Sequence, residues 1–287
     1  MTVMFADGGF VDPMITLDKG VAMIDAMTLV RAAEALAHLG YDLTLPTAAN
    51  LGLPPVFADL CKVAVTPGPA VTTTIDTQKM RWDYEASSEV WRDDFRDYAG
   101  VERYGVHLKD CPVAQLDGAT VTRACTKLRD GRQLWLWFAG VPFGVLSSMG
   151  LYELFVLAGS LAKRFDESDP EEFDWVVVPA QQIAYARGMH ELLPANPLIQ
   201  TVEQRLYMAL DETGVRVKVM TMIETGSMPM FDAEVHSHVF GSRNPVVMWL
   251  TVPWSSAPFA VVATTSDAWL DIDEKVSFED SEFEPGV

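Results

Sequence analysis

The stretch that decides the fold is Leu206-Tyr-Met-Ala-Leu-Asp-Glu-Thr-Gly-Val-Arg-Val-Lys-Val-Met-Thr-Met222. Its two ends are rich in β-branched, aromatic and other apolar residues, which predicts strands over 206–210 and 215–222. From Val215 to Met220, β-branched residues alternate with long ones, as in a strand that has solvent on one face. The sequence therefore predicts a protein built on sheets, in which 215–222 is an already formed strand.

Similar strand patterns lie on both sides of this stretch. Asp130-Gly131 is a hairpin signal between two of them. Five prolines between Tyr41 and Ala70 favour an irregular connection there, with room for no more than a short helical turn at 55–61. The other predicted strands are 71–79, 119–128, 133–139, 175–178, 246–252 and 259–264.

Two segments have helical periodicity. Apolar residues recur at helical spacing from Asp18 to Leu39, and Gly40 follows as a C-cap. A second apolar stripe predicts a helix near 149–164. The expected fold class is therefore α+β, with antiparallel or mixed β-sheets, an N-terminal helix and the second helix near 149–164.

The chain has 287 residues, of which 49% are hydrophobic. No repeat or linker divides it, so one globular domain is expected over 1–266. From Asp267 onwards there are eight acidic residues against Lys275 alone, and the apolar pattern ends after Phe278. This composition predicts an acidic, flexible C-terminal tail over 267–287.

Charge narrows the classes of partner. With 21 basic and 40 acidic residues the net charge is -19, which disfavours nucleic acid and anionic membranes as partners. The sequence has no apolar run long enough to cross a bilayer and no signal-peptide pattern at its start, so we expect a soluble protein of the cytoplasm or of an assembled particle. Cys61, Cys111 and Cys125 are widely spaced, which favours reduced, buried thiols.

One segment could hold a metal ion. In Asp232-Ala-Glu-Val-His-Ser-His238, the period of two places Asp232, Glu234, His236 and His238 on one face of a strand. A polar strand face near a partner surface accounts for the same pattern. A single His-x-His is weak support for a metal site.

Other catalytic patterns are missing from the sequence. It has neither Gly-x-Ser-x-Gly nor a phosphate-binding glycine motif. His38, His107 and His190 are isolated, and neighbouring acids such as Asp93-Asp94 point apart in a strand. The interpretation is a protein that is not an enzyme, has no cofactor and works by binding another protein.

Several segments, taken in order, resemble the serpins, a family of protease inhibitors and related non-inhibitory proteins. The matching segments are Phe10-Val-Asp-Pro13, Thr72 to Trp82 with Met80 in place of a glycine, Asp174-Trp-Val-Val-Val-Pro179, Ala209-Leu-Asp-Glu-Thr-Gly214, Asn244 to Leu250 and Pro258 to Val262. The resemblance implies a shortened serpin-like fold, since members of the family are usually considerably longer.

The resemblance also implies a role for the segment around Gly214. Asp211-Glu-Thr-Gly214 is similar to the hinge before the serpin reactive loop, which in inhibitors is followed by small residues so that the cut loop can enter the main sheet. Here Arg216 and Lys218 follow instead. A non-inhibitory, protein-binding domain is therefore expected. The residues expected to form its reactive-loop or binding segment are Glu212, Gly214, Glu224, Met228 and Pro229, and proline after Met228 makes that bond a poor protease substrate.

Three functions remain open from the sequence. The first is this serpin-like binding domain, whose partner is another protein such as a protease. The second is a structural subunit that assembles as a homo-oligomer into a larger particle, for example a viral one. The third is a metal-dependent enzyme that uses the 232–238 segment.

Overall fold

The computed structural model describes residues 14–17, 19–39, 60–66, 70–83, 89–188, 202–222 and 239–278. These residues form three α-helices, which are α1 Ala26–His38, α2 Phe143–Leu146 and α3 Leu151–Glu167. They also form fourteen strands, which are β1 Val21–Ile24, β2 Cys61–Thr66, β3 Ala70–Asp76, β4 Arg81–Trp82, β5 Val90–Arg96, β6 Glu102–Leu116, β7 Ala119–Lys127, β8 Gln133–Gly140, β9 Glu171–Pro179, β10 Gln181–Gly188, β11 Glu203–Asp211, β12 Gly214–Met222, β13 Val246–Thr251 and β14 Phe259–Thr264. The predicted α+β class is confirmed.

The described strands make two sheets. Nine of them form one sheet in the order β1-β14-β13-β8-β7-β6-β5, with β4 beside β7 and β9 beside β6. Five form the second, in the order β10-β11-β12-β3-β2. Every pairing between these strands is antiparallel.

The predicted strand over 215–222 is the middle strand of the second sheet. It pairs with β11 from Gly214 to Met222, and with β3 from Lys218 to Met222. Val215, Val217 and Val219 are all buried. The valines that alternate with longer residues in this stretch therefore form one apolar face, which packs into the core.

Helix α1 packs against β3 and β12 of the second sheet and also contacts β14 of the first. Met27, Leu29 and Leu36 are among its buried residues. The helix begins after Asp25, whose side chain caps it by accepting bonds from the amides of Met27 and Thr28. The first helix thus bridges the two sheets.

The Asp25 carboxylate is the centre of a buried polar network. Its Oδ2 accepts bonds from the Thr28 amide at 2.9 Å and the Thr28 hydroxyl at 2.6 Å, and its Oδ1 accepts one from the Ala260 amide in β14 at 3.2 Å. The side-chain amide of Gln204 in β11 donates to the Asp25 carbonyl at 2.7 Å and accepts a bond from the Asp25 backbone amide at 3.1 Å. The Thr28 and Thr221 hydroxyls lie 2.7 Å apart, which adds β12. Asp25 and Thr28 together therefore join α1 to both sheets.

Three sequence predictions differ from the structure. The first helix begins at Ala26 and not near Asp18, because residues 21–24 pair with β14 as a strand. Residues 61–66, expected in an irregular connection, form an edge strand beside β3. Residues 267–278 of the predicted tail lie against the sheets, with Trp269 buried in the core. Residues 279–287 are outside the described part.

Tryptophans fill the core of the first sheet. Trp137 and Trp249 stack with ring centroids 5.7 Å apart, and both are fully buried. Trp137 donates a hydrogen bond from Nε1 to the Thr251 hydroxyl at 2.9 Å.

Among the described helices, none combines the length and the hydropathy that a bilayer span requires.

Removal of the Asp25 side chain should destabilise the whole protein. In Asp25→Ala, α1 loses its cap and the buried amides of Thr28 and Ala260 lose their acceptor. We expect the free energy of unfolding to fall by roughly 2–4 kcal/mol, measured by urea denaturation. The matched control is Asp130→Ala, which removes a surface carboxylate paired with Arg132 and should lower the free energy of unfolding much less, because solvent screens an exposed ion pair. Equal losses in the two variants would contradict a central role for Asp25.

Candidate functional site

The turn between β11 and β12 is a two-residue hairpin. Asp211 pairs with Gly214, so that Glu212 and Thr213 alone form the loop. The Asp211 carboxylate accepts bonds from the Thr213 amide and hydroxyl, both at 2.6 Å. Burial raises the pKa of Asp211. Trp82 fixes the turn from the other sheet by donating its indole N–H to the Asp211 carbonyl at 2.9 Å.

Gly214 allows a close backbone approach. A Cβ atom at this position would lie 2.3 Å from the Met80 carbonyl oxygen. That approach lets Met80 and Val215 exchange backbone hydrogen bonds. The Met80 amide donates to the Val215 carbonyl at 2.7 Å, and the Val215 amide donates to the Met80 carbonyl at 3.2 Å. The glycine at the predicted hinge is therefore needed to seat the hairpin on the 80–82 segment.

Glu212 is tied to the first sheet, because Tyr104 of β6 donates its phenolic O–H to the Glu212 carboxylate. Burial raises the pKa of Tyr104, and this hydrogen bond and the charge of Glu212 raise it further. Of the residues predicted to bind a partner, Glu212 and Gly214 therefore both hold the turn in place.

The remaining predicted site residues lie outside the described residues. These are Glu224, Met228 and Pro229 of the expected loop, and Asp232, Glu234, His236 and His238 of the expected metal site. In the part of the chain that the structure describes, no group of three or more His, Cys, Asp or Glu side chains is arranged to hold a metal ion.

Beside the hairpin lies a cleft with a volume of about 810 Å³. Its lining includes four cationic side chains, one carboxylate and the hairpin residue Thr213, and we call it the basic cleft. The charged residues are Lys79, Arg81, Lys127, Arg129 and Asp83.

Two of the cations are direct neighbours across a strand pair. Arg81 of β4 is opposite Lys127 of β7. Like charges in this position destabilise a sheet unless an anion lies between or beside them. Lys127 pairs with the Asp83 carboxylate at 2.7 Å. Arg81 and Arg129 have no ion pair to any other described residue.

Asp83 is held at the base of the cleft. Its carboxylate is buried and accepts a hydrogen bond from the Gln133 amide at 2.7 Å as well as the ion pair from Lys127. Among the described lining residues, four cations stand against this one carboxylate, so their summed charge is positive. Such a site can bind carboxylate, phosphate or sulfate groups.

Sequence reasoning missed the basic cleft. The cations come from two separate segments, 79–81 and 127–129, that β4 and β7 bring together. The available signal was the repeated pattern Lys-x-Arg, at Lys79-Met-Arg81 and at Lys127-Leu-Arg129, in a chain that has few basic residues.

A second cluster surrounds His107, which the sequence left isolated. Its Nδ1 lies 2.9 Å from an Asp93 carboxylate oxygen. Trp91 stacks on the imidazole with ring centroids 3.7 Å apart. The ring centroid of Trp175 lies 5.2 Å from that of His107. Among the described residues, no group bonds to the buried Nε2 of His107.

The cysteines are not a reactive centre. None of the three forms a disulfide. Burial raises the pKa of Cys111 and of Cys125 to about 12, and that of the half-buried Cys61 to about 12. These values keep the nucleophilic thiolate scarce at neutral pH.

Substitution of Gly214 tests the seating of the hairpin. In Gly214→Ala, the added methyl group must displace the Met80 carbonyl, so we expect a loss of roughly 1–3 kcal/mol in the free energy of unfolding. Gly144→Ala is the control, because a Cβ there meets open space within α2. Thermal denaturation of both variants measures the difference. A Gly214→Ala protein as stable as the control would contradict the close approach.

No protein-family model matches the sequence, and no curated protein matches it. The fold is similar to that of cleaved Serpin 42Da, with 11% identity and a TM-score of 0.45 over 72% of this chain and 58% of that chain. It is also similar to the thermophilic serpin tengpin in its latent state, with 9% identity and a TM-score of 0.43 over 70% of this chain and 57% of that chain.

A cleaved ovalbumin mutant is a third such structure, with 9% identity and a TM-score of 0.40 over 68% of this chain and 54% of that chain. The chain thus spans less than two thirds of the length of these proteins. The solved structures that it resembles are serpins, the family that its sequence segments also resemble.

Proposed function

We propose that this chain is a serpin-like binding domain that takes an acidic segment of a partner protein into the basic cleft, and that it does not inhibit proteases by loop insertion. The observation that carries the proposal is the grouping of Lys79, Arg81, Lys127 and Arg129 around one cleft in a chain of net charge -19.

The charge distribution favours a short acidic peptide over a long polyanion. A nucleic acid or an anionic membrane extends beyond the cleft and meets the acidic remainder of the surface, which repels it. A peptide with a few carboxylates can place them on the four cations alone. The exposed guanidinium groups of Arg81 and Arg129 suit bidentate bonds to carboxylates.

The cleft is also built on firm elements. Lys127 extends from β7 and is held by the buried Asp83. On the hairpin side, Lys79 donates a hydrogen bond to the Thr213 hydroxyl at 2.5 Å. Side chains that are already positioned lose less conformational freedom when a ligand binds.

A charge-reversal experiment tests this function. The probe is a fluorescent nonapeptide with four glutamates, and its binding is measured by anisotropy at low ionic strength. In the double variant Arg81→Glu, Arg129→Glu, we expect the affinity to fall at least about tenfold, because two attractive contacts become repulsive. Binding to the unchanged protein should weaken as salt is added.

Lys163→Glu is the control for charge reversal outside the cleft, since Lys163 is exposed on α3. It should leave the affinity within about twofold, as expected for a distant, screened charge. No binding by the unchanged protein at low salt, or equal weakening in both variants, would overturn the proposal.

The absence of loop insertion is supported by strand β12. In inhibitory serpins, the segment after the hinge slides into the main sheet. Here that segment already lies between β11 and β3. Its Arg216 is buried, and it bonds to the Asp76 carboxylate at 2.8 Å and to the Phe278 carbonyl at 2.6 Å. Because β12 is already held in the sheet by these contacts, it is not a free segment that could insert.

Incubation with proteases tests the second half of the proposal. With trypsin, chymotrypsin and elastase in equimolar amounts, we expect full protease activity and no covalent complex on a denaturing gel. The physical reason is that cleavage after residue 222 cannot drive the insertion of a strand that is already paired on both edges. A detergent-stable complex with any of the three would contradict this and establish true inhibition.

A further inference from the structure

Two exposed tryptophans border a histidine on one face of the first sheet. Trp91 of β5 lies directly opposite His107 of β6, and β9, which carries Trp175, pairs with β6 on its other edge. The imidazole centroid is 3.7 Å from that of Trp91 and 5.2 Å from that of Trp175. The two tryptophans are 40% and 51% exposed. Contiguous exposed aromatic surface of this kind marks interaction sites, whereas apolar residues exposed singly do not.

Beside this row of rings lies a cavity of about 420 Å³, which we call the aromatic cavity. Trp175 and Tyr98 provide aromatic walls, and Val177 provides an apolar one. Asp93 and Asp94 bring carboxylates to the same cavity. It shares no described lining residue with the basic cleft. Its volume lies in the range of pockets that take a ligand or a long side chain.

The other charged residues that line the aromatic cavity are compensated. Arg96 pairs with Glu102 at 2.6 Å, and Asp97 pairs with Arg103 at 2.9 Å. The free charge of the cavity is therefore left to the two remaining carboxylates of its described lining.

These two carboxylates keep acceptor sites for an incoming donor. One oxygen of Asp93 lies 2.9 Å from Nδ1 of His107, while the side chain of Asp93 stays partly exposed. Asp94 is exposed and forms no ion pair with another described residue. Since an ionised carboxylate has about four lone-pair sites, each can still accept hydrogen bonds. The cavity is therefore anionic as well as aromatic.

An arginine side chain matches both properties of the cavity. Its planar guanidinium stacks on an indole face through cation–π attraction and donates paired bonds to carboxylates. An anionic group is repelled by Asp93 and Asp94, and a purely apolar group leaves them without a partner. The net charge of -19 also draws a basic partner toward this protein.

We propose that the aromatic cavity is a docking site for a basic segment of a partner protein, with an arginine side chain held against Trp175, Asp93 and Asp94. The proposal does not depend on the basic cleft, because the two sites have separate linings and attract opposite charges. Together with that cleft, the chain recognises two segments of different chemistry, an acidic one at the hairpin and a basic one beside β5 and β9.

Removal of the Trp175 indole tests the aromatic part of the site. The probe is a fluorescent nonapeptide with four arginines, and anisotropy is measured at about 0.15 M salt, where attraction to the overall charge is screened. In Trp175→Ala, we expect the affinity to fall about fivefold, because stacking and cation–π attraction are lost. The matched control is Trp254→Ala, since Trp254 is 70% exposed and lies outside the cavity lining. It should leave the affinity within about twofold, as expected for a residue that does not touch the ligand.

Neutralisation of Asp94 tests the charged part of the site. In Asp94→Asn, we expect the affinity for the same probe to fall about fivefold, because a carboxylate that pairs with the guanidinium is lost. Glu167→Gln makes the same change of net charge on α3, where Glu167 is exposed and pairs with Lys163. It should change the affinity less than about twofold, because screened charges outside the cavity act weakly. Circular dichroism checks that all four variants keep the fold.

A nonapeptide with four glutamates separates this site from the basic cleft. Its binding should be equal in Trp175→Ala and in the unchanged protein, because the glutamates address other residues. Binding of the arginine peptide together with no binding of the glutamate peptide would support the aromatic cavity and overturn only the proposed function.

Four results would overturn the docking site. The first is no binding of the arginine peptide by the unchanged protein. The second is an equal loss in Trp175→Ala and Trp254→Ala. The third is an equal loss in Asp94→Asn and Glu167→Gln, which would assign the attraction to net charge. The fourth is a dimer in light scattering that is absent in Trp175→Ala, which would make a second copy of this chain the occupant.

Discussion

The buried carboxylate of Asp25 is the interaction on which the rest of the structure depends. A charge in the core is costly unless donors surround it, and here the donors come from α1 and β14, while Gln204 of β11 holds the same residue by its backbone. Thr28 then bonds to Thr221, so the position of β12 follows from the same network. The hairpin that borders the basic cleft is thereby placed by a group at the other end of its strand.

In the proposed binding function, the selectivity of the cleft depends on the surface around it. Most of this protein is acidic, so a partner with many negative charges is repelled at long range and meets attraction only in contact with the cations. Arg81 and Lys127 are cross-strand neighbours, and Asp83 pairs with Lys127, so an incoming carboxylate would find its nearest unpaired cation, among the described residues, in Arg81. This charge distribution favours recognition at contact distance over fast association, because the negative potential of the rest of the surface opposes the approach of an acidic partner.

The sequence reveals elements whose pattern is local and hides those that depend on distant pairing. Strand β12 was predictable because Val215, Val217 and Val219 alternate with longer residues. The longest strand, β6, was not, because Gly105, Asp110 and Pro112 interrupt its apolar pattern. In the structure β6 includes all three, with Asp110 in the left-handed backbone region at a φ of 48°.

The candidate site follows the same rule. The local sequence order singled out Glu212 and Gly214 as binding residues, and that role stays a prediction. The basic cleft had no such signal, since no local pattern says that β4 will lie beside β7. Its Lys-x-Arg pairs become meaningful only once that pairing is known.

The position of β1 has a consequence for biosynthesis. Its hydrogen-bonding partner is β14, through Val21 opposite Thr264, and β14 also separates β1 from the rest of the first sheet. A growing chain therefore has to carry an unpaired apolar strand until nearly all of the described residues have been made. Closure between segments so far apart in sequence slows folding and leaves the apolar residues of β1 exposed until β14 is in place.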